Sequence, residues 1–163
     1  MKYKSIFAFL AVLLIAVSVA SVYAESVNLG PFNFDVPDDF KVTKTNETTI
    51  VLEHDHEQII VTNEIVGQDA VNSYLEGQGF FTGQSTHGTT RVDGTGPTGT
   101  YEYDSTTYSK NHGYDIAYFL NRDGNTVTVI GIDNDFDNDG GDSEPDDLTN
   151  AVGDVVKYIM LKK

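Results

Sequence analysis

The residues that could do chemistry crowd into positions 133–147, DNDFDNDGGDSEPDD, where seven aspartates and Glu144 stand without a Lys or Arg among them. Asp135, Asp137 and Asp139 alternate, Gly140 follows, and Asp146 is twelfth counting from Asp135. That is the spacing of an EF-hand-type calcium loop. Alternate carboxylates can turn oxygens onto one cation, and a glycine permits the sharp bend. Gly141 would offer its backbone carbonyl, Ser143 a hydroxyl or a bridging water, and Asp146 would close the shell from the start of a helix. The loop departs from the usual pattern in three ways. A strand precedes it, Asp142 stands where an apolar residue is usual, and aspartate at the twelfth place reaches less far than glutamate. Calcium (Ca2+) affinity of about 10⁻⁴–10⁻³ M, as in extracellular modules, is the expectation. A solvated acidic loop is the competing reading, because Asp142 to Asp147 would be acidic in any case at a helix N-terminus.

Other candidates are weaker. His54 and His56 lie two apart and could share a strand face toward a transition metal. They flank a turn, no third ligand is evident, and an exposed hairpin end explains them better. The run Gly94-Thr-Gly-Pro-Thr-Gly99 has the composition of a phosphate cradle, but a strand follows it where a cradle needs a helix N-terminus. It reads as a loop. No Ser, Cys or His motif of a known nucleophile or metalloprotease is present. An enzyme would therefore need a site assembled by folding, with His87 or His112 bonded to a carboxylate in a concavity. Tyr101, Tyr103, Tyr108, Tyr114 and Tyr118 could line a recognition surface or simply pack a sheet. Asn46-Glu47-Thr48 is an N-glycosylation sequon, with Asn46 as the acceptor.

These residues need a framework, and its limits come from the whole chain. Residues 1–24 carry Lys2 and Lys4, twelve unbroken apolar residues and a small-residue tail ending Val22-Tyr23-Ala24. This is the order of a secretory signal peptide, with cleavage expected before Glu25. The alternative is an uncleaved anchor, the one route to a membrane. The remaining 139 residues, 25–163, suit one domain able to bury a core without disulfides, and the chain has no cysteine. Eight basic residues then face 25 acidic ones, a formal charge of −17. Such a surface repels nucleic acid and anionic lipid. It suits an extracytoplasmic protein, secreted or at the cell surface, a cation binder, or a salty environment, and the expected partner is a protein or cell-envelope component.

Period-two alternation marks a strand at Phe32, Phe34 and Val36, and β-rich runs flank His54 to Glu57 as a hairpin. Val71, Tyr74 and Leu75 have helical spacing, with Asp69 as expected N-cap. Further strands are expected near residues 89–92 and 100–109. A hairpin is expected at 116–120 and 127–132, turning at Asp123-Gly124. From Leu148 the apolar spacing predicts a C-terminal amphipathic helix, with Pro145 in its first turn. The expected order is β-β-β-α-β-β-β-β-α. Hairpin-linked strands imply an α+β domain, a mainly antiparallel β-sheet covered by helices.

Three stretches resemble the PsbP-like family, which includes the extrinsic photosystem II subunit and many prokaryotic relatives. They are the opening FNFDVPDDFKV, the paired late strands GTYEYDS and YDIAYFLNRDGNTVTVIGID, and the closing LTNAVGDVVKYIML. The resemblance implies a PsbP-like α/β sandwich and, since that family is mostly non-enzymatic, a binding or accessory role. It carries over no functional residue. The expectation is thus a secreted, non-catalytic binding or accessory domain stabilised by calcium at the acidic loop. The alternative is an extracytoplasmic enzyme, hydrolase-like, with a spatially assembled site.

Overall fold

The computed structural model describes residues 25–93, 97–110, 112–136 and 145–161, with the side chain of Asp146 outside the description. The signal peptide expected over residues 1–24 lies outside it, as do residues 94–96 of the Gly-rich loop. Nine strands and two helices are described. Strands β1 (Ser26–Leu29) and β2 (Phe32–Asp35) form a hairpin of their own. The other seven are β3 (Lys41–Thr45), β4 (Thr49–His54), β5 (Glu57–Thr62), β6 (Phe81–Val92), β7 (Gly99–Lys110), β8 (Gly113–Arg122) and β9 (Asn125–Asp133). They make one sheet in the order β3-β4-β5-β9-β8-β7-β6, antiparallel throughout. Helix α1 (Gln68–Glu76) follows β5, and α2 (Asp146–Leu161) closes the chain. The domain is therefore α+β, mostly antiparallel sheet with two helices, one of them C-terminal.

Each helix takes one face of the sheet. Leu148, Val152, Val155, Val156 and Ile159 project from α2 onto Ile50, Leu52, Ile59, Val61, Val127 and Val129, and Phe32 and Phe34 of the β1–β2 hairpin join them. On the other face Val71 and Leu75 of α1, with Phe80, cover Val51, Ile60, Ala117, Ile130 and Ile132. Strand β9 is consequently buried at all seven residues from Val127 to Asp133. Gly131 lets α2 approach. A Cβ there would collide with Val152 and lie 3.3 Å from Leu148 Cδ1. The β8–β9 turn forms as expected, with both Asp123 (φ 55°) and Gly124 (φ 79°) in the left-handed region of a two-residue hairpin turn.

Several expectations need correction. Strands β1 and β3 were not anticipated. Strand β1 is four residues long and held partly by side-chain bonds, Ser26 to Asn33 and Asn33 to Asn28. Strand β3 is an edge strand whose side chains are mostly exposed, so neither carries a period-two apolar signal. Strand β6 runs for twelve residues from Phe81, far beyond 89–92, because pairing with β7 sustains it where side-chain burial does not. Its residues include no Asp, Glu, Lys or Pro, whereas the opposite edge, β3, carries Lys41 and Lys44. At α1 the N-cap position belongs to Gly67, and Asp69 lies in the first turn. Pro145 stands just before α2, and its carbonyl accepts the N–H of Thr149, so it holds the N-cap position. No described helix is long and apolar enough to cross a membrane.

Candidate functional site

The acidic stretch leaves the sheet at the end where the β4–β5 turn meets the last residue of β9. Glu57 opens β5 directly opposite Asp133. Alternation puts both on the α2 face, Glu57 in line with Ile59 and Val61, Asp133 in line with Val129 and Gly131. Glu57 is 8% exposed and Asp133 is 3% exposed. Two carboxylates at one cross-strand position repel when both are charged. Burial, and then the Asp133 charge, push the Glu57 carboxyl above its ordinary range, opposed by its contact with His54.

The histidines sit against this pair. His54 Nδ1 is 3.6 Å from Glu57 Oε2, and His56 Nε2 is 3.4 Å from Asp133 Oδ1. They do not share a strand face toward one metal, because His56 lies in the turn beside Asp55, whose φ is 48°. Each imidazole serves a different acid. The exposed-turn reading missed this, since nothing in the local sequence marks Glu57 as buried. In front of Glu57 a concavity of about 300 Å³ opens between the β2–β3 loop and α2, lined by Asp38, Asp39, His54, Asp147 and Asp154.

Of the loop residues, Asp135 is exposed, and its N–H donates to Asp133 Oδ1 at 2.9 Å. Asp137, Asp139, Gly141 and Ser143 lie outside the described residues. Asp146 begins α2, as the loop reading requires, but its side chain is not described. Among the described residues no three His, Cys, Asp or Glu side chains converge as metal ligands. What the described part supplies is a buried, acidic anchor at the loop's first end.

A second constellation lies on the α1 face. His87 and Asp104 are cross-strand partners on β6 and β7, and His87 Nδ1 meets Asp104 Oδ1 at 2.7 Å. The hydrogen bond and charge of Asp104 raise the His87 pKa. The pair lines a concavity of about 410 Å³ with Gln68, Ser85, Thr106 and Phe119. Ser85 Oγ contacts Thr106 Oγ1 at 2.9 Å and accepts from Gln68 Nε2 at 3.0 Å. Its hydroxyl is thus engaged away from His87, and the imidazole and carboxylate are 68% and 65% exposed. An oriented base is present, but no aligned nucleophile accompanies it among the described residues. His112 lies in the β7–β8 turn with φ 54° and is remote from this pair in the strand register.

The tyrosines divide. Tyr101, Tyr103 and Tyr118 form a half-buried ladder with ring centroids 5.9 and 5.5 Å apart. Tyr108 and Tyr114 are core residues, so the five do not make one recognition surface. Asn46 is exposed in the β3–β4 loop. Its Oδ1 accepts from the N–H groups of Thr48 and Thr49, bonds that do not use its side-chain nitrogen. A scan of family models and searches of the curated proteins and the solved structures returned no match.

Proposed function

We propose that the protein is a secreted, non-catalytic binding or accessory domain of PsbP-like layout. In this reading its acidic end takes up calcium through Asp135, Asp137, Asp139, Gly141, Ser143 and Asp146. The observation that carries this is the buried pair Glu57 and Asp133. Paired carboxylates with no Lys or Arg bonded to them among the described residues leave negative charge concentrated where the alternating aspartates begin. A divalent cation in the loop would offset that charge and join β9 to α2. The role of the ion is structural, and the partner is a protein or cell-envelope component, since a charge of −17 disfavours nucleic acid. The order of elements, with a terminal helix on an antiparallel sheet, supports the PsbP-like layout.

Thermal melts with calcium and with chelator test the proposal. At about 10 mM calcium, an affinity of about 10⁻⁴–10⁻³ M stabilises the fold by about 1.4–2.7 kcal/mol. The Asp135→Asn/Asp137→Asn variant should lose the calcium response. Identical melts of parent and variant in both conditions would refute the site.

The His87–Asp104 pair favours a second reading, an extracytoplasmic hydrolase in which His87 acts as a general base on water. Turnover of small chromogenic esters that disappears in His87→Ala supports it. Equal rates in parent and variant exclude it.

A further inference from the structure

Three neighbouring strands bring an amine, an amide and a buried acid together on the α1 face. Lys110 ends β7, Asp115 lies in β8, and Asn134 follows the last residue of β9. Lys110 Nζ donates to Asn134 Oδ1 at 3.0 Å. To reach it, the lysine crosses β8 over Gly113, its own pairing partner. A Cβ at Gly113 would stand 2.5 Å from Lys110 Cε and 2.8 Å from Cγ, so a side chain there would push the lysine off this path. The Phe80 ring covers the ammonium, with its centroid 4.1 Å away. The Asn134 backbone is tied down by its N–H, which donates to the carbonyl of His56 at 3.3 Å. Lys110 is half-buried, while Asn134 is exposed.

Asp115 is one step further in. It pairs with Tyr108 on β7 and Ile132 on β9, and alternation keeps it on the face of Gly113 and Ala117. It is fully buried, and neither carboxyl oxygen meets a hydrogen-bond partner among the described residues. Burial holds its carboxyl well above the usual range, and Lys110 is the cation that opposes the shift. A buried acid without a partner is costly, and packing gives no reason to keep one.

We infer that Lys110 and Asn134 become joined by an intramolecular isopeptide bond, with Asp115 as the acid that serves the step. The Lys110 nitrogen attacks Asn134 Cγ, and a new C–N amide bond forms. The bond from Cγ to the asparagine side-chain nitrogen breaks. That nitrogen leaves as ammonia, and the lysine attacks as the free amine, its ammonium proton having passed first to solvent, where the ammonia takes one up again. No oxidant, reductant or activated donor is needed. Asp115 passes a proton toward the departing nitrogen and regains one from the lysine. The bond ties β7 to the end of β9 across β8, in a chain with no cysteine to do so. This goes beyond the proposed binding role and does not depend on calcium.

Intact-mass measurement and peptide mapping of the purified full-length protein test the inference. The expected mass is lower by about 17 Da, one ammonia, than that of the same processed chain without the bond. Trypsin should fail to cut after Lys110 and should release a branched peptide containing Lys110 and Asn134. Lys110→Arg and Asp115→Asn should each restore the full mass, with circular dichroism confirming that they fold. A parent of full mass that is cut after Lys110 overturns the bond, whatever the variants do. A folded Asp115→Asn that still carries the branched peptide removes Asp115 from the step.

Discussion

Replacing Gly131 by alanine tests how α2 is seated against β9. The added methyl would collide with Val152 and press on Leu148, both at 0% exposure. Overpacking of this kind costs about 1–3 kcal/mol. Lost unfolded-chain entropy returns about 0.4–1 kcal/mol. Taken at the middle of both ranges, the net expectation is a loss of about 1.3 kcal/mol, with roughly 4 °C in Tm per kcal/mol for a domain of this size. Urea denaturation of the parent, Gly131→Ala, Val152→Ala and the double variant measures it. Because the clash is with Val152, the double variant should be more stable than the sum of the single losses predicts, by about 1 kcal/mol. If Gly131→Ala is as stable as the parent, α2 does not sit on β9 as described. If the single losses simply add, Val152 is not what the methyl meets.

Other perturbations give equally definite outcomes. Glu57 and Asp115 both have folded pKa values raised by burial, so their contribution is fully present below the unfolded pKa and is lost as pH rises through the folded one. Stability should therefore fall from mildly acidic toward neutral pH, and Glu57→Gln should be more stable than the parent at pH 7 in chemical denaturation. The Asp104 contact raises the His87 pKa, so Asp104→Asn should lower its NMR titration midpoint; an unchanged midpoint would mean that the 2.7 Å bond is absent in solution. Arg122 donates to the carbonyl of Ile159 near the end of α2 and to that of Pro31 at 3.0 Å, with Phe32 beneath its guanidinium. Arg122→Ala should cost about 2 kcal/mol in a denaturation curve, and Arg122→Lys should recover little of it, since a point charge cannot span both carbonyls.

The elements that could be read from the sequence are those whose burial writes a period into it. Helix α2, the β4–β5 hairpin and the β8–β9 hairpin with its Asp123-Gly124 turn emerged where expected, because apolar spacing and turn chemistry agree there. Strands β1, β3 and most of β6 are held by backbone pairing and polar contacts, and their side chains carry little of that signal. The site shows the same division. Asp135, Asp137 and Asp139 drew attention by local spacing, while Glu57 and Asp133 become a pair only through the register between β5 and β9. Likewise the His87–Asp104 bond joins residues 17 positions apart that only the β6–β7 register unites. Asp115 sits in an apolar run, YDIAYFL, where its burial could have been suspected; its lack of a partner could not.

The contrast between the sheet's two edges bears on how copies of this chain would meet one another. Strand β3 is short, bulged and marked with lysines, which blunts it against further pairing. Strand β6 offers a dozen residues of backbone with only one irregularity in its register. Mutual repulsion between strongly acidic bodies would oppose the pairing of copies at that strand. At about 1 M salt the screening length shrinks to about 3 Å, and that protection disappears. Light scattering should then rise with ionic strength, and a lysine in place of Thr86 or Thr90 on β6 should suppress the rise.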